Sequence, residues 1–261
     1  MRRRAPTVMK PLANTKMDKQ QPKRPDEQDL SRRGFLQSTF TTVGAAALLA
    51  TQAAYGVTTP AAAQSVNGQK VLNDSRIDPA RTAVLIMHYQ NDIFKLIPGA
   101  VPVIKNTRAL LSSARKNDLK VIFIRMGFSA GYPEVNPRNR SGMWLKSTGL
   151  FVNDQIHADV APQSGEAIVT ARRVNPFFGT ELEILLETAG IDTLVMAGVQ
   201  TTGVVLSGVS HASDADYRIF CVKDCCYDPD PVVHDHLVAT GFTSRANCLS
   251  QAEMQAIIAR A

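Results

Sequence analysis

TAVLIMHYQND, Thr82 to Asp92, drives five apolar residues directly into five polar ones. A strand that is apolar along its whole length is buried on both faces, as in a parallel sheet covered by helices. In open sheets of that kind the chemistry lies beyond the carboxyl ends of the strands. The stretch His88-Tyr89-Gln90-Asn91-Asp92 is therefore where a pocket is expected.

Working outward, the chain alternates. Ala100–Lys116 sets Val103, Ile104, Thr107, Leu110, Leu111 and Ala114 on one helical face. LKVIFIRM (Leu119–Met126) is a second strand, EAIVTAR (Glu166–Arg172) a third, DTLVMAGV (Asp192–Val199) a fourth and YRIFCVKD (Tyr217–Asp224) a fifth. Helices are expected over Thr180–Ala189, Thr202–Ser213, Pro231–Thr240 and Gln251–Arg260, with a short sixth strand near Arg245–Ser250. Gly127–Gly165 is irregular and holds Trp144, the single tryptophan. A loop that long inside a compact domain usually serves function. The pattern predicts an α/β domain over residues 81–261, with a mostly parallel six-stranded sheet covered on both faces.

The net charge of +6 does not point to nucleic acid. Residues 1–33 carry ten Lys/Arg against four Asp/Glu, and the remaining 19 basic and 19 acidic residues cancel. No basic patch is left to follow a phosphate backbone. SRRGFLQ (Ser31–Gln37) precedes the uncharged run STFTTVGAAALLATQAA, and Ala61 and Ala63 stand at −3 and −1 of a cut before Gln64. This resembles a twin-arginine export signal. Residues 1–63 are then signal and leader, 64–80 a linker, and the mature protein periplasmic or otherwise exported. The other reading, a membrane anchor, suffers from a short and weakly apolar run, so no stable span is expected after processing. Cys221, Cys225, Cys226 and Cys248 form no CxxC pair. Buried free thiols are expected, with one disulfide open to an oxidising compartment.

Three strand exits carry unusual chemistry: Met87–Asp92, Ala171–Phe178 (ARRVNPFF) and Gly198–Val204 (GVQTTGV). The last is a turn whose backbone N–H groups would stabilise an anion or an oxyanion. With HYQNDIF, RRVNPFFGTEL, AGVQTTGVVLSGVSHASDADYRIF and DCCYDPDPVVH in this order, the chain from Arg81 onward resembles the isochorismatase-like, or cysteine hydrolase, family. The resemblance implies a three-layer α/β/α sandwich, a small-molecule substrate, a homo-oligomer and a non-proline cis peptide at Val199–Gln200. It also implies an aspartate base, a lysine and a cysteine nucleophile. At those positions stand His88, Ala171 and Val204.

The expectation is a hydrolase of a small, carboxylate-bearing molecule, cleaving an amide or a vinyl ether without a cysteine nucleophile. His88 would be the acid/base, because imidazole titrates near neutrality. Arg172 would hold the anion. Gln90, Asp92, Phe177, Phe178, Gln200, Thr201 and Val204 are the expected substrate contacts. Each has a structural alternative: a hydrogen-bonded core histidine for His88, a loop tie for Gln90, packing for the two phenylalanines. Asp230 is expected to cap the helix that follows it. The alternative function is a catalytically inactive small-molecule binder on the same scaffold. A further possibility is help from a neighbouring subunit through Arg138, Arg140 and Trp144. No metal and no cofactor are expected, since Gly127–Gly165 holds only His157 and His234-x-His236 splays on a helix.

Overall fold

The computed structural model describes residues 76–261. The expected export leader lies outside the described residues. Six strands form one sheet: β1 (Thr82–Met87), β2 (Lys120–Met126), β3 (Ala167–Ala171), β4 (Thr193–Gly198), β5 (Arg218–Val222) and β6 (Asn247–Leu249), in the order β3-β2-β1-β4-β5-β6. Every pairing is parallel. Each strand is within a few residues of its expected span.

Residue alternation sends Val84 and Ile86 to one face of β1, and Ala83, Leu85 and Met87 to the other. Helices α1 (Asn91–Leu96), α2 (Val103–Lys116) and α7 (Gln251–Ile258) cover the first face. Helices α4 (Leu182–Thr188) and α5 (Leu206–Asp214) cover the second. All six α2 positions expected on one face are buried. Leu110 and Leu111, fully enclosed, contribute about 2 kcal/mol each. The helix starts at Val103 rather than Ala100 because Pro98–Ala100 closes a tighter turn and Pro102 carries no N–H. The folded chain also begins before Arg81: Ile77 packs in the core and the Asp78 side chain caps the turn Pro79–Arg81.

Two departures matter for the site. The long Gly127–Gly165 segment contains a helix, α3 (Arg140–Thr148), capped by the Asn139 side chain on the Gly142 N–H at 3.0 Å and closed by Gly149 at φ +72°. And the helix expected from Thr202 begins as a wide turn, Thr201–Val205, because Gly203 adopts φ −99°, ψ −105° and breaks the helical path; α5 proper starts at Leu206. Helix α6 (Pro231–His236) starts at the expected cap, with Asp230 accepting from Val232 and Val233. No helix among the described residues is long and apolar enough to cross a membrane.

The order of strands reverses direction between β1 and β4. Chain crossovers leave β1 towards β2 and β3, then return on the other side through β4, β5 and β6. The crevice outside this switch point is where an open α/β sheet binds ligands.

Candidate functional site

A cavity of about 390 Å³ occupies that crevice, at the lower end of small-molecule pockets of about 300 to 1,000 Å³. Its floor comes from strand exits: His88 after β1, Met126 at the end of β2, and Val199, Gln200 and Val204 after β4. Its walls are apolar, including Ile93 and Ile97 after β1 and Leu145 and Phe151 of the long segment. Arg140, Ser141 and Trp144 of α3 complete the lining. No aspartate, glutamate or cysteine lines it.

His88 is placed by the sheet. Its N–H continues the β1 ladder to the Ile124 carbonyl at 2.8 Å, and its backbone then turns to φ +62°. That left-handed conformation is uncommon outside glycine, though His, Asn and Asp adopt it more readily than other side chains. The ring is buried, 4% exposed, and its Nε2 has no hydrogen-bond partner. Burial disfavours the imidazolium and lowers its pKa to about 4. At neutral pH His88 is an uncharged ring that lines the cavity.

Beside it, the Val199–Gln200 peptide is cis, as the resemblance implies. Gln200 lines the cavity, and its side-chain amide has no hydrogen-bond partner among the described residues. Val204 walls the same space at 1% exposure. Gly198 is what lets it approach: a Cβ there would lie 3.1 Å from Val204 Cγ1 and 3.0 Å from Val205 Cγ2.

The turn itself offers less than its sequence promises. Thr201 N–H donates to the Tyr227 carbonyl, Thr202 N–H to Asp228 Oδ2, and the N–H groups of Gly203 and Val205 to the Gln200 carbonyl. These four donors are spent on the fold and are not available to an oxyanion. Asp228, 7% exposed, also accepts from the Thr202 hydroxyl at 2.6 Å, pinning the turn to the chain that leaves β5.

Several expected site residues stand elsewhere. Arg172 does not line the cavity: its Nη1 donates to the Gly127 carbonyl and its Nε lies 3.5 Å from Glu134. A guanidinium so occupied braces the loop after β2. Arg173 reaches the carbonyls of Arg172 and Glu134. Gln90 is fully buried and ties Met126 N–H and C=O, at 2.8 and 2.7 Å, to the exit of β1. Asp92 accepts from the Phe151 N–H at 3.0 Å, so it orients a cavity wall without touching the cavity. Phe177 stacks on His211, ring centroids 4.4 Å apart, and Phe178 is 65% exposed. Thr201 bonds His234 Nδ1 through its hydroxyl at 2.8 Å. Of the expected set, the cavity brings together His88, Gln200 and Val204.

Arg140 and Trp144 join them from the same chain, whereas Arg138 does not line the cavity. No cysteine substitutes for Val204. Contacts with Cys226 and Cys248, with burial, push the Cys221 thiol up, and burial pushes Cys225 up. Such thiols are poor nucleophiles. Among the described residues no group of three His, Cys, Asp or Glu is placed to hold a metal.

Comparison with known proteins agrees with this fold. Residues 82–253 match the family described as the isochorismatase domain. Maleamate amidohydrolase of Pseudomonas putida is 25% identical over 146 residues, covering 53% of this chain and 66% of that protein. Ureidoacrylate amidohydrolase RutB of Serratia proteamaculans is 26% identical over 180 residues, covering 59% and 72%. An isochorismatase family protein of Desulfovibrio vulgaris superposes with a TM-score of 0.63 at 25% identity, over 69% of this chain and 99% of that one.

Proposed function

The chain belongs to the isochorismatase family, and from that premise we propose that it hydrolyses the C–N bond of a small amide or ureide without a cysteine nucleophile, using His88 as the base. One observation carries the proposal: a buried, uncharged imidazole lining the cavity at the switch point. Maleamate and ureidoacrylate, in the names of two relatives, are both small carboxylates with such a bond.

The step balances with water alone. The His88 ring takes a proton from a water molecule as its oxygen attacks the substrate carbonyl. The Gln200 amide donates to the oxygen that gains charge, a role closed to the four turn N–H groups already engaged in the fold. On collapse the C–N bond breaks and the His88 proton passes to the leaving nitrogen. The low pKa favours this over vinyl-ether cleavage, which needs a proton donor: a ring that titrates at about 4 is almost wholly unprotonated at neutral pH.

The test is an NMR turnover screen of small amides, ureides and vinyl ethers with native protein and His88→Asn. Asn accepts the left-handed backbone, so this variant keeps the fold better than Ala would. Hydrolysis of an amide or ureide by the native chain, lost in the variant, is expected. Ligand binding without product in the native chain overturns the proposal in favour of a binding protein, and turnover retained by the variant removes His88 from the mechanism.

Export is proposed on SRRGFLQ and the small residues before Gln64. Replacing Arg32 and Arg33 by Lys is expected to leave an unprocessed protein in the cytoplasmic fraction; normal processing of that variant contradicts export by this route.

A further inference from the structure

We propose that Arg140 on α3, and not Arg172, holds the substrate's carboxylate, with Trp144 one turn on covering the body of the molecule, so that the site selects small monoanions that enter amide-end first. This deepens the reading above and rests on the same cavity.

The cavity is graded from mouth to floor. Arg140 is exposed and Trp144 is 48% exposed, while His88, Val199 and Val204 on the floor are 4% exposed or less. Residues four apart on a helix share a face, so α3 sets its cation and its indole side by side over the opening. Arg140 has no hydrogen-bond or ion-pair partner among the described residues, and no carboxylate of the protein lines the cavity to claim it. The arginine that had been expected to do this work is already engaged by Gly127 and Glu134.

The gradient also orients the ligand. A carboxylate driven to the floor would lose its water among Val199, Val204 and Met126, facing an imidazole that burial keeps neutral; burying a charge without a partner is costly. At the mouth the same carboxylate meets a planar cation built for bidentate pairing and keeps contact with solvent. The uncharged amide end can descend to His88 and Gln200, the polar side chains of the floor. A dianion would have to bury its second charge there, and a neutral amide would leave Arg140 unpaired.

Trp144 is the single tryptophan, so its emission reports on this rim. The experiment titrates the full chain carrying His88→Asn, in which the probes are not consumed, with maleamate, succinamate and N-carbamoylglycine, each against its neutral amide. Saturable change in emission is expected for at least one anion, with its neutral partner about tenfold weaker or more. Adding Arg140→Gln is expected to erase that difference, Arg140→Lys to restore part of it, and Arg172→Gln to leave it intact. Arg140 is exposed, so its variants are expected to unfold at the native midpoint. No saturable response to any anion, equal binding of anion and neutral amide, or loss of the preference in Arg172→Gln instead, overturns the assignment. Turnover of the same probes by the native chain is scored separately. Anion binding through Arg140 without hydrolysis would sink the hydrolase reading and leave this one standing.

Discussion

At the scale of the residue, His88 joins function to stability. Burial alone holds its pKa at about 4, below the ordinary 6.5. Between those values the unfolded chain binds a proton that the folded chain refuses. The sign follows: this contribution to stability is complete above pH 6.5 and is lost as the pH falls towards 4, amounting to about 3 kcal/mol across the window. Urea unfolding at pH about 7 and about 4.5 should therefore show native protein losing about 2 kcal/mol more than His88→Asn over the same interval. Equal losses would mean that the ring is solvated and titrates normally. The sequence placed this histidine at a strand exit but could not reveal its state, which is set by the apolar residues that other strands and α3 bring around it. Arg172 shows the converse. Its position at the end of β3 was legible, but its partners Gly127 and Glu134 come from a loop whose path no local pattern encodes.

At the scale of the element, the turn Thr201–Val205 decides the site. It is held from outside, by Asp228 on the Thr202 N–H and hydroxyl and by Tyr227 on the Thr201 N–H. Asp228→Ala leaves a buried donor unmet and is expected to lower the unfolding free energy by about 2 kcal/mol, measured by denaturant titration. Asp228→Asn keeps an acceptor and should cost clearly less; equal costs would show that the carboxylate's packing, not its hydrogen bonds, pins the turn. Gly198→Ala tests the same element from below. Its Cβ would press on Val204 and Val205, and overpacking of this kind costs about 1–3 kcal/mol. An unchanged unfolding midpoint would contradict the close approach. Strands and long helices were legible because their periods are strong: β1 is apolar throughout and α2 repeats on one face. Helix α3 was not, since RSGMWLKST has a weak apolar stripe among glycines and prolines. Its signal was the pair of ends, Asn139 as cap and Gly149 as stop.

At the scale of the whole molecule, parallel strands with helices on both faces leave one crevice where the strand order turns, and the cavity lies there. That much follows from apolar strands alternating with helices. What did not follow is the site's membership: of the expected contacts, Gln90, Asp92, Phe177 and Thr201 hold the fold and Phe178 is exposed, while Arg140 and Trp144 arrive from a segment that looked irregular. The measurement that tests the central claim most directly is the pH dependence of kcat/KM for whichever amide or ureide the native chain hydrolyses, followed by NMR from pH about 4 to about 8. A neutral His88 acting as base predicts a flat profile over the upper range and a fall towards about pH 4. A rate that rises as the pH drops, or one that is half-lost near 6.5, would contradict it.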